Sequence, residues 1–201
     1  MLKLLIATNN PGKMVEIQAL LSGRELELLT PAQLGIELEV VEDGNTYAEN
    51  ALLKGRAFAS ASGMITLADD SGLEVDALGG QPGLHSARYG HRPGATDADR
   101  RQLLLERLGE QPRPWRARFC CLVAVVAPDG EAQLVEGVCE GEIIPEERGQ
   151  NGFGYDPIFL IPELGKSMAE LRLVEKNQLS HRARAVKAAL PLIEKYLTDL
   201  L

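Results

Sequence analysis

Cysteine is scarce in this chain of 201 residues: Cys120, Cys121 and Cys139 are all there is, with no CxxC spacing. All three lie in apolar, strand-like stretches. That excludes a disulfide scaffold and a cysteine zinc site, and points to inert buried thiols in a reducing, cytoplasmic setting. No apolar run approaches the roughly 18 residues of a membrane span. The opening MLKLLIATNNPGK has only a few apolar residues before Asn-Asn-Pro-Gly, and reads as a first strand rather than a signal peptide. Positive charge is in deficit as well. A formal net charge of −8 argues against a general nucleic-acid or anionic-membrane binder, both of which need extended basic surfaces. A nucleotide substrate stays compatible, because a few Lys and Arg with a metal make a locally positive pocket inside an acidic protein. Neither a Walker A loop (GxxxxGKS/T) nor a GxSxG elbow occurs. His85 and His91 have no metal-ligand spacing and read as loop residues. Repeats, low-complexity tracts and linkers are absent, and the length suits one domain, at most two-lobed, burying roughly 70% of its unfolded surface.

What is present alternates between strand and helix. Residues 2–7 read as a buried strand; Met14, Ile17, Leu20 and Leu21 then recur at helical spacing behind Pro11. A second strand is expected at 25–29. Thr46 and Glu49 fit a capping box for a helix over 46–61, with Asn50 and Lys54 one turn apart on one face. A strand over 64–68 ends in acids, and the glycine-rich stretch 79–94 reads as a long functional or lid-like loop. Further expectations are a helix over 97–108, a doubly buried strand over 119–127, a Pro128-Asp129-Gly130 turn and a partner strand over 131–138. The last helix spans 180–200, with Val186, Ala189, Leu190, Ile193, Leu197 and Leu200 as its buried stripe. A hairpin among strand-helix alternations gives the α/β class with a mixed sheet.

The most informative stretch is 66–89, TLADDSGLEVDALGGQPGLHSARY. Side chains alternate along a strand, so Asp69 and Asp70 cannot point the same way, and one of them is the candidate to meet a ligand such as a divalent metal. The string also suits a solvated strand-to-turn exit. Residues 8–13, Thr-Asn-Asn-Pro-Gly-Lys, fit either an ordinary polar turn or a phosphate cradle of N–H groups, a hydroxyl, two amides and a lysine. Lys13 falls in the first turn of its helix, where the macrodipole disfavours a cation unless an anion is bound. His181 and Arg182 repeat this anomaly in the first turn of a helix capped by Ser180. In GFGYDP, Phe153 offers either a flat face for a base, worth about 1–3 kcal/mol in stacking sites, or a core aromatic beside a tight turn.

Five segments, ATNNPGK (7–13), EDGNTYAENALLKGRA (42–57), LADDSGLEVDALGGQPGLHSARY (67–89), GFGYDPIF (152–159) and EKNQLSHRARA (175–185), together resemble the inosine/xanthosine triphosphate pyrophosphatase family. The likeness spans nearly the whole chain. It implies an α/β fold: a single two-lobed pyrophosphatase domain over 1–201, with a central mixed sheet flanked by helices, a substrate cleft between lobes, and a homodimer. The implied reaction is Mg²⁺-dependent hydrolysis of ITP, dITP and XTP to nucleoside monophosphate and pyrophosphate. By the same resemblance Thr8, Asn9, Asn10, Pro11, Gly12 and Lys13 contact the phosphates. Asp70 is metal ligand and proton acceptor, Glu42 the second metal ligand, and Ser71 a substrate contact. Phe153, Gly154, Tyr155 and Asp156 line the base pocket, Lys176 and His181 touch substrate, and Arg182 donates to the purine 6-oxo group. Arg88 and Tyr89 are candidates to flank that cleft. The family's acid pair before the helix is here Glu42-Asp43, preceded by Val41, which leaves open which acid ligates; Glu49 is assigned to the capping box. The alternatives are a Maf-like pyrimidine or modified-nucleotide pyrophosphatase, disfavoured by the SHR and GFGYDP segments, and a non-catalytic nucleotide sensor.

Overall fold

A computed structural model describes residues 2–90 and 94–199. His91 and Leu200, for which a loop place and a buried-stripe place were expected, lie outside the described residues. The chain runs β1 (Leu2–Ile6), α1 (Pro11–Leu21), β2 (Leu26–Leu29), α2 (Tyr47–Ser62), β3 (Thr66–Val75), β4 (Pro82–Gly83), α3 (Asp97–Leu108), β5 (Trp115–Val126) and β6 (Ala132–Ile143). It closes with β7 (Phe159–Ile161), β8 (Lys166–Ser167), α4 (Leu173–Leu179) and α5 (His181–Asp199). The strands order as β2-β1-β3-β5-β6-β7-β8, with β4 paired to β3. β1 is parallel to β2 and β3, whereas β3–β4, β6–β7 and β7–β8 are antiparallel, so the sheet is mixed as expected. No described helix is long and apolar enough to cross a membrane.

The chain divides into two compact units. The first holds residues up to Asp70, Cys121–Gly137 and the segment from His181; the second holds Ser71–Cys120 and Val138–Ser180. In the first, strand periodicity sorts side chains onto two faces. Leu4, Ile6, Ile65, Leu67, Cys121, Val123 and Val125 share a core with Ile17 and Leu21 of α1 and Val186, Ala189, Ile193 and Leu197 of α5. The alternate residues Leu5, Ala7 and Ala68 pack with Phe58 of α2, and Ala124 and Val126 pack with Ala51 and Ala59 of the same helix. The second unit has its own core, with Leu73 and Val75 of β3, Leu104 and Leu108 of α3, Trp115 and Phe119 of β5, and Phe159.

The elements match the expected order, and the departures are instructive. β3 does not end at the acids; it carries Asp69 and Asp70 inside the strand and continues to Val75. The turn preference of Asp-Asp-Ser-Gly is overridden because Leu73 and Val75 are fully buried, so strand continuation gains apolar burial. The 79–90 loop is tied back by β4 and by Ser86, whose Oγ accepts the Leu73 N–H at 2.8 Å. β5 begins earlier than expected and β6 ends later. β7, β8 and α4 are too short to show a period in the sequence. All three cysteines are free and buried, and burial, aided by the Asp69 charge, pushes the Cys121 thiol up to about 12.

Candidate active site

The alternation along β3 decides what each acid meets. Asp69 shares parity with Ile65 and Leu67, so it faces α1 and α5; Asp70 shares parity with Ala68, so it faces α2. Asp69 is 1% exposed. Its Oδ2 lies 2.9 Å from Lys13 Nζ and 3.4 Å from Arg182 Nε, and Cys121 Sγ stands 3.9 Å away. Arg182, itself 2% exposed, also pairs through Nη1 with Glu16 of α1, another buried acid. Burial alone would raise the Asp69 pKa, yet Lys13 and Arg182, with Lys54 further off, outweigh it and hold the carboxyl well below the usual range. For Arg182 burial opposes the charge, while Asp69 and Glu16 more than restore it, so the guanidinium stays protonated. The two helix starts that carry misplaced cations therefore converge on one strand carboxylate, which supplies the anion each lacks.

Asp70 is half-buried. Asn50 of α2 donates from Nδ2 to Asp70 Oδ2 at 3.0 Å, while Asn50 Oδ1 accepts the Gly44 N–H at 2.8 Å. One buried amide thus ties the strand acid to the loop that carries Glu42. A Cβ on Gly44 would stand 2.7 Å from that same oxygen, so the loop can approach only as glycine. Glu42 Oε1 pairs with Lys54 Nζ at 2.9 Å. Burial raises the Asp70 pKa and the Glu42 charge adds to it, against the Asn50 hydrogen bond and the Lys13 and Lys54 charges. Asp43 is exposed. The Glu49 N–H donates to Thr46 Oγ1, but its carboxylate takes the Asn45 N–H at 2.6 Å rather than the Thr46 N–H, so only half of the expected capping box forms while Glu49 still serves the helix start.

The loop at 8–13 uses its side chains on itself. Thr8 Oγ1 accepts the Asn10 N–H, Asn10 Oδ1 accepts the Lys13 N–H at 3.1 Å as N-cap of α1, and Pro11 opens the helix. Asn9 and Asn10 are exposed, while Thr8 and Gly12 are half-buried.

In the second unit, Lys176 of α4 and Asp156 form an ion pair, each about 3% exposed as a residue. Asp156 Oδ2 also accepts the Phe153 N–H at 2.9 Å, and Lys176 Nζ stands 5.2 Å over the Phe153 ring. Gly152, at φ +75°, packs so close that a Cβ there would overlap the Asp156 carboxylate. Tyr155 is buried and its hydroxyl donates to Ser86 O at 2.9 Å, with burial pushing its pKa up. Phe153, Lys176 and Asp156 are thus brought together, whereas Tyr155 points its polar end at the 86 turn. Ser71 is half-buried at the start of this unit, and His181 is buried at the start of α5. Arg88 is exposed; Tyr89 is buried, with Arg107 stacked on its ring and bonded to its hydroxyl at 2.9 Å.

Sequence reading missed Glu16 and Asp69 as partners of the basic residues, and Lys54 as partner of Glu42. Glu16, one helical turn after Lys13, was a visible signal of an acid on that face. Which strand acid the cations would meet depended on sheet parity.

The Ham1 family description matches residues 4–192 of the chain. The chain belongs to the Ham1 family. Among its curated relatives, a dITP/XTP pyrophosphatase of Thermus thermophilus is 48% identical, over 94% of this chain and 90% of that protein. The dITP/XTP pyrophosphatase of Bacillus subtilis strain 168 is 44% identical over 94% and 96%. Among solved structures, a HAM1 protein from Coxiella burnetii superposes with a TM-score of 0.87 at 38% identity, covering 97% of this chain and all of that one. The clusters around Asp69, Asp70 and Asp156 are thus those of a Ham1-family chain.

Proposed function

We infer that this Ham1-family chain is a nucleoside triphosphate pyrophosphatase that hydrolyses deaminated purine nucleoside triphosphates such as dITP and XTP to the monophosphate and pyrophosphate. The observation that carries the reading is the splitting of the acid pair. One carboxylate, Asp69, is locked with Lys13 and Arg182, while the other, Asp70, is held by Asn50 on the opposite face and has its pKa raised. A carboxylate whose pKa is raised by burial accepts a proton more readily than an ordinary one.

The donor set fits a hard divalent cation. Asp70 and Glu42 are the two carboxylates that would hold it, the pattern in which Mg²⁺ takes one or two protein acids with the substrate phosphates. The Glu42 charge felt at Asp70 favours Glu42 over the exposed Asp43. Bound there, Mg²⁺ would supply charge neutralisation at the phosphates. Asp70 would take the proton of a water whose oxygen attacks the α-phosphorus, breaking the bond to the bridging oxygen so that pyrophosphate leaves. Lys13 and the N–H groups and side chains of residues 8–12 would hold the phosphate oxygens. Ser71, next to Asp70, is assigned a substrate contact.

The cluster of Phe153, Asp156 and Lys176, with Gly154 and Tyr155 shaping its loop, would receive the base: the ring for stacking, the polar pair for its edge. His181 would contact substrate and Arg182 would donate to the 6-oxo oxygen. Nε and Nη1 of that guanidinium are already gripped by Asp69 and Glu16, which would aim it rigidly. We extend the proposal to a single domain over 1–201, acting as a homodimer in the cytoplasm. The free thiols support a reducing compartment, and the family resemblance supports the dimer.

The test is a panel of ITP, dITP, XTP, GTP, ATP and UTP with purified protein, with EDTA or Mg²⁺, separating monophosphate from diphosphate product. Monophosphate and pyrophosphate from ITP and XTP, lost with EDTA and restored by Mg²⁺, are expected. Diphosphate plus orthophosphate, or preference for UTP, would overturn the reading, and binding without hydrolysis would favour a nucleotide sensor.

A further inference from the structure

Two charged residues at the start of α3 hold the 152–156 loop by a single glycine. The Gly154 N–H donates to Asp97 Oδ2 at 2.8 Å, and the Gly154 carbonyl accepts from Arg101 Nη1 at 2.8 Å. Both polar groups of one residue are thereby taken by side chains four apart on one helix face, the spacing at which helical neighbours line up. Gly154 sits at φ +62° and Gly152 at φ +75°, in the left-handed region that favours glycine, so bonds from outside the loop add to what holds this backbone. The partners are themselves braced. Arg101 makes a two-pronged ion pair to Glu147, at 2.7 and 3.0 Å, and Asp97 pairs with Arg100, whose other nitrogen donates to Ala95 O at 2.7 Å. Beneath them, α3 is fixed by a Thr96–Asp99 capping box and by Leu104 and Leu108 in the core.

We propose that Asp97 and Arg101 are positioning residues for base recognition: by clamping Gly154 they set the placement of Phe153 and Asp156. The proposal rests on the reading of the 152–156 loop as the base pocket. The line of contacts is short, since Asp156 Oδ2 accepts the Phe153 N–H and pairs with Lys176, so a loop released at Gly154 loses the common register of ring and carboxylate. The bonds that Asp97 and Arg101 make run to Gly154, Arg100 and Glu147, none of which is assigned to the phosphates or the metal. It therefore affects how the base is held, with the hydrolytic step left intact.

The experiment compares Asp97→Ala, Arg101→Met and Arg101→Lys with wild type, measuring KM and kcat for ITP, XTP and ATP. Asp97→Ala and Arg101→Met are expected to raise KM for ITP and XTP by about tenfold or more, the scale of a slight misplacement of a binding group. Their kcat should change less than about threefold, the pattern of binding lost equally in ground and transition states. Arg101→Lys, which keeps the charge and one donor but not the fork, should recover part of the KM. Arg118→Met, which breaks the Glu74 ion pair elsewhere in the same unit, serves as the control for general loosening and should leave KM unchanged. If Asp97→Ala fails to fold, Arg101→Met against Arg101→Lys decides alone. Wild-type KM values in the clamp variants, or one common fall in kcat for every nucleotide, would overturn the proposal. Asp156→Asn separates the two levels. If it raises KM for ITP and XTP while the clamp variants keep wild-type KM, the pocket reading stands and the clamp is wrong; if it leaves KM for both unchanged, the pocket reading itself is wrong.

Discussion

Lys13 Nζ lies 2.9 Å from Asp69 Oδ2, in a pair where the acid is 1% exposed and the lysine 15%. The acid that neighbours it in sequence, Asp70, is turned to the other face of the sheet and held by Asn50 at 3.0 Å. Two adjacent carboxylates thus have different work, and substitutions at them should separate stability from turnover.

Asp69→Asn should destabilise the fold by about 3–5 kcal/mol, the cost of leaving buried cations without their partner. Asp70→Asn should leave the urea midpoint nearly unchanged and lower turnover by at least about 10²-fold. Urea titrations beside pyrophosphate release check both. Equal stability losses at the two positions would contradict the division of roles.

Lys13→Met reverses a sign. A lysine in the first turn of an isolated helix is unfavourable, so the macrodipole alone makes its removal mildly stabilising. With Asp69 buried beside it, removal should instead cost about 1–3 kcal/mol without ligand, since a buried acceptor loses a donor. Binding of all triphosphates should weaken by a similar factor, because the contact is to their common part. Thermal melts and inhibition by a non-hydrolysable analogue series measure the two effects, and a base-selective loss would remove Lys13 from the phosphate site.

Arg182→Lys keeps a charge but cannot span Glu16 and Asp69 with a planar fork. The melting temperature should fall. If the guanidinium also reads the base, the ITP-to-ATP ratio should narrow: arginine has only donors, which suit a 6-oxo acceptor and clash with the adenine amino group. The ITP-to-GTP ratio should change less, because guanine keeps the 6-oxo group. One common factor for ITP, GTP and ATP would make Arg182 a structural or phosphate contact, and base reading would pass to Asp156 and Lys176.

Asp97 provides a pH test. Its burial would raise the pKa, but the Arg100 hydrogen bond and the Gly154 N–H outweigh that and lower it. A depressed carboxyl contributes stability that is present above its unfolded value of about 3.9 and lost as pH falls through the folded value. Asp97→Asn should therefore lose less stability than wild type as pH is lowered from about 5 to about 3. The contribution is modest because the side chain is 41% exposed. Parallel acid-side curves for the two proteins would show that the aspartate charge is not what holds Gly154.

Much of the fold was legible locally. The helices over 97–108 and after Thr46, the apolar strand after 119 and the Pro128–Gly130 turn follow from period, caps and turn residues, which act within a few positions of the chain. The acid pair, the 8–13 loop and the GFGYDP and SHR segments were visible because their residue types break local rules: acids side by side, cations at helix starts, glycines in a near-strand run. What those features meet depends on contacts remote in sequence. Whether Asp69 or Asp70 faces Lys13 turns on the parity of β3 in the sheet, and a one-residue shift would exchange them. That Arg182 answers Glu16, and that α3 grips Gly154, follows from packing between elements far apart in the chain, where no sequence period carries the information. The sequence by itself determined which groups were out of place; tertiary structure alone decided their partners, because burial forces every such charge to find one.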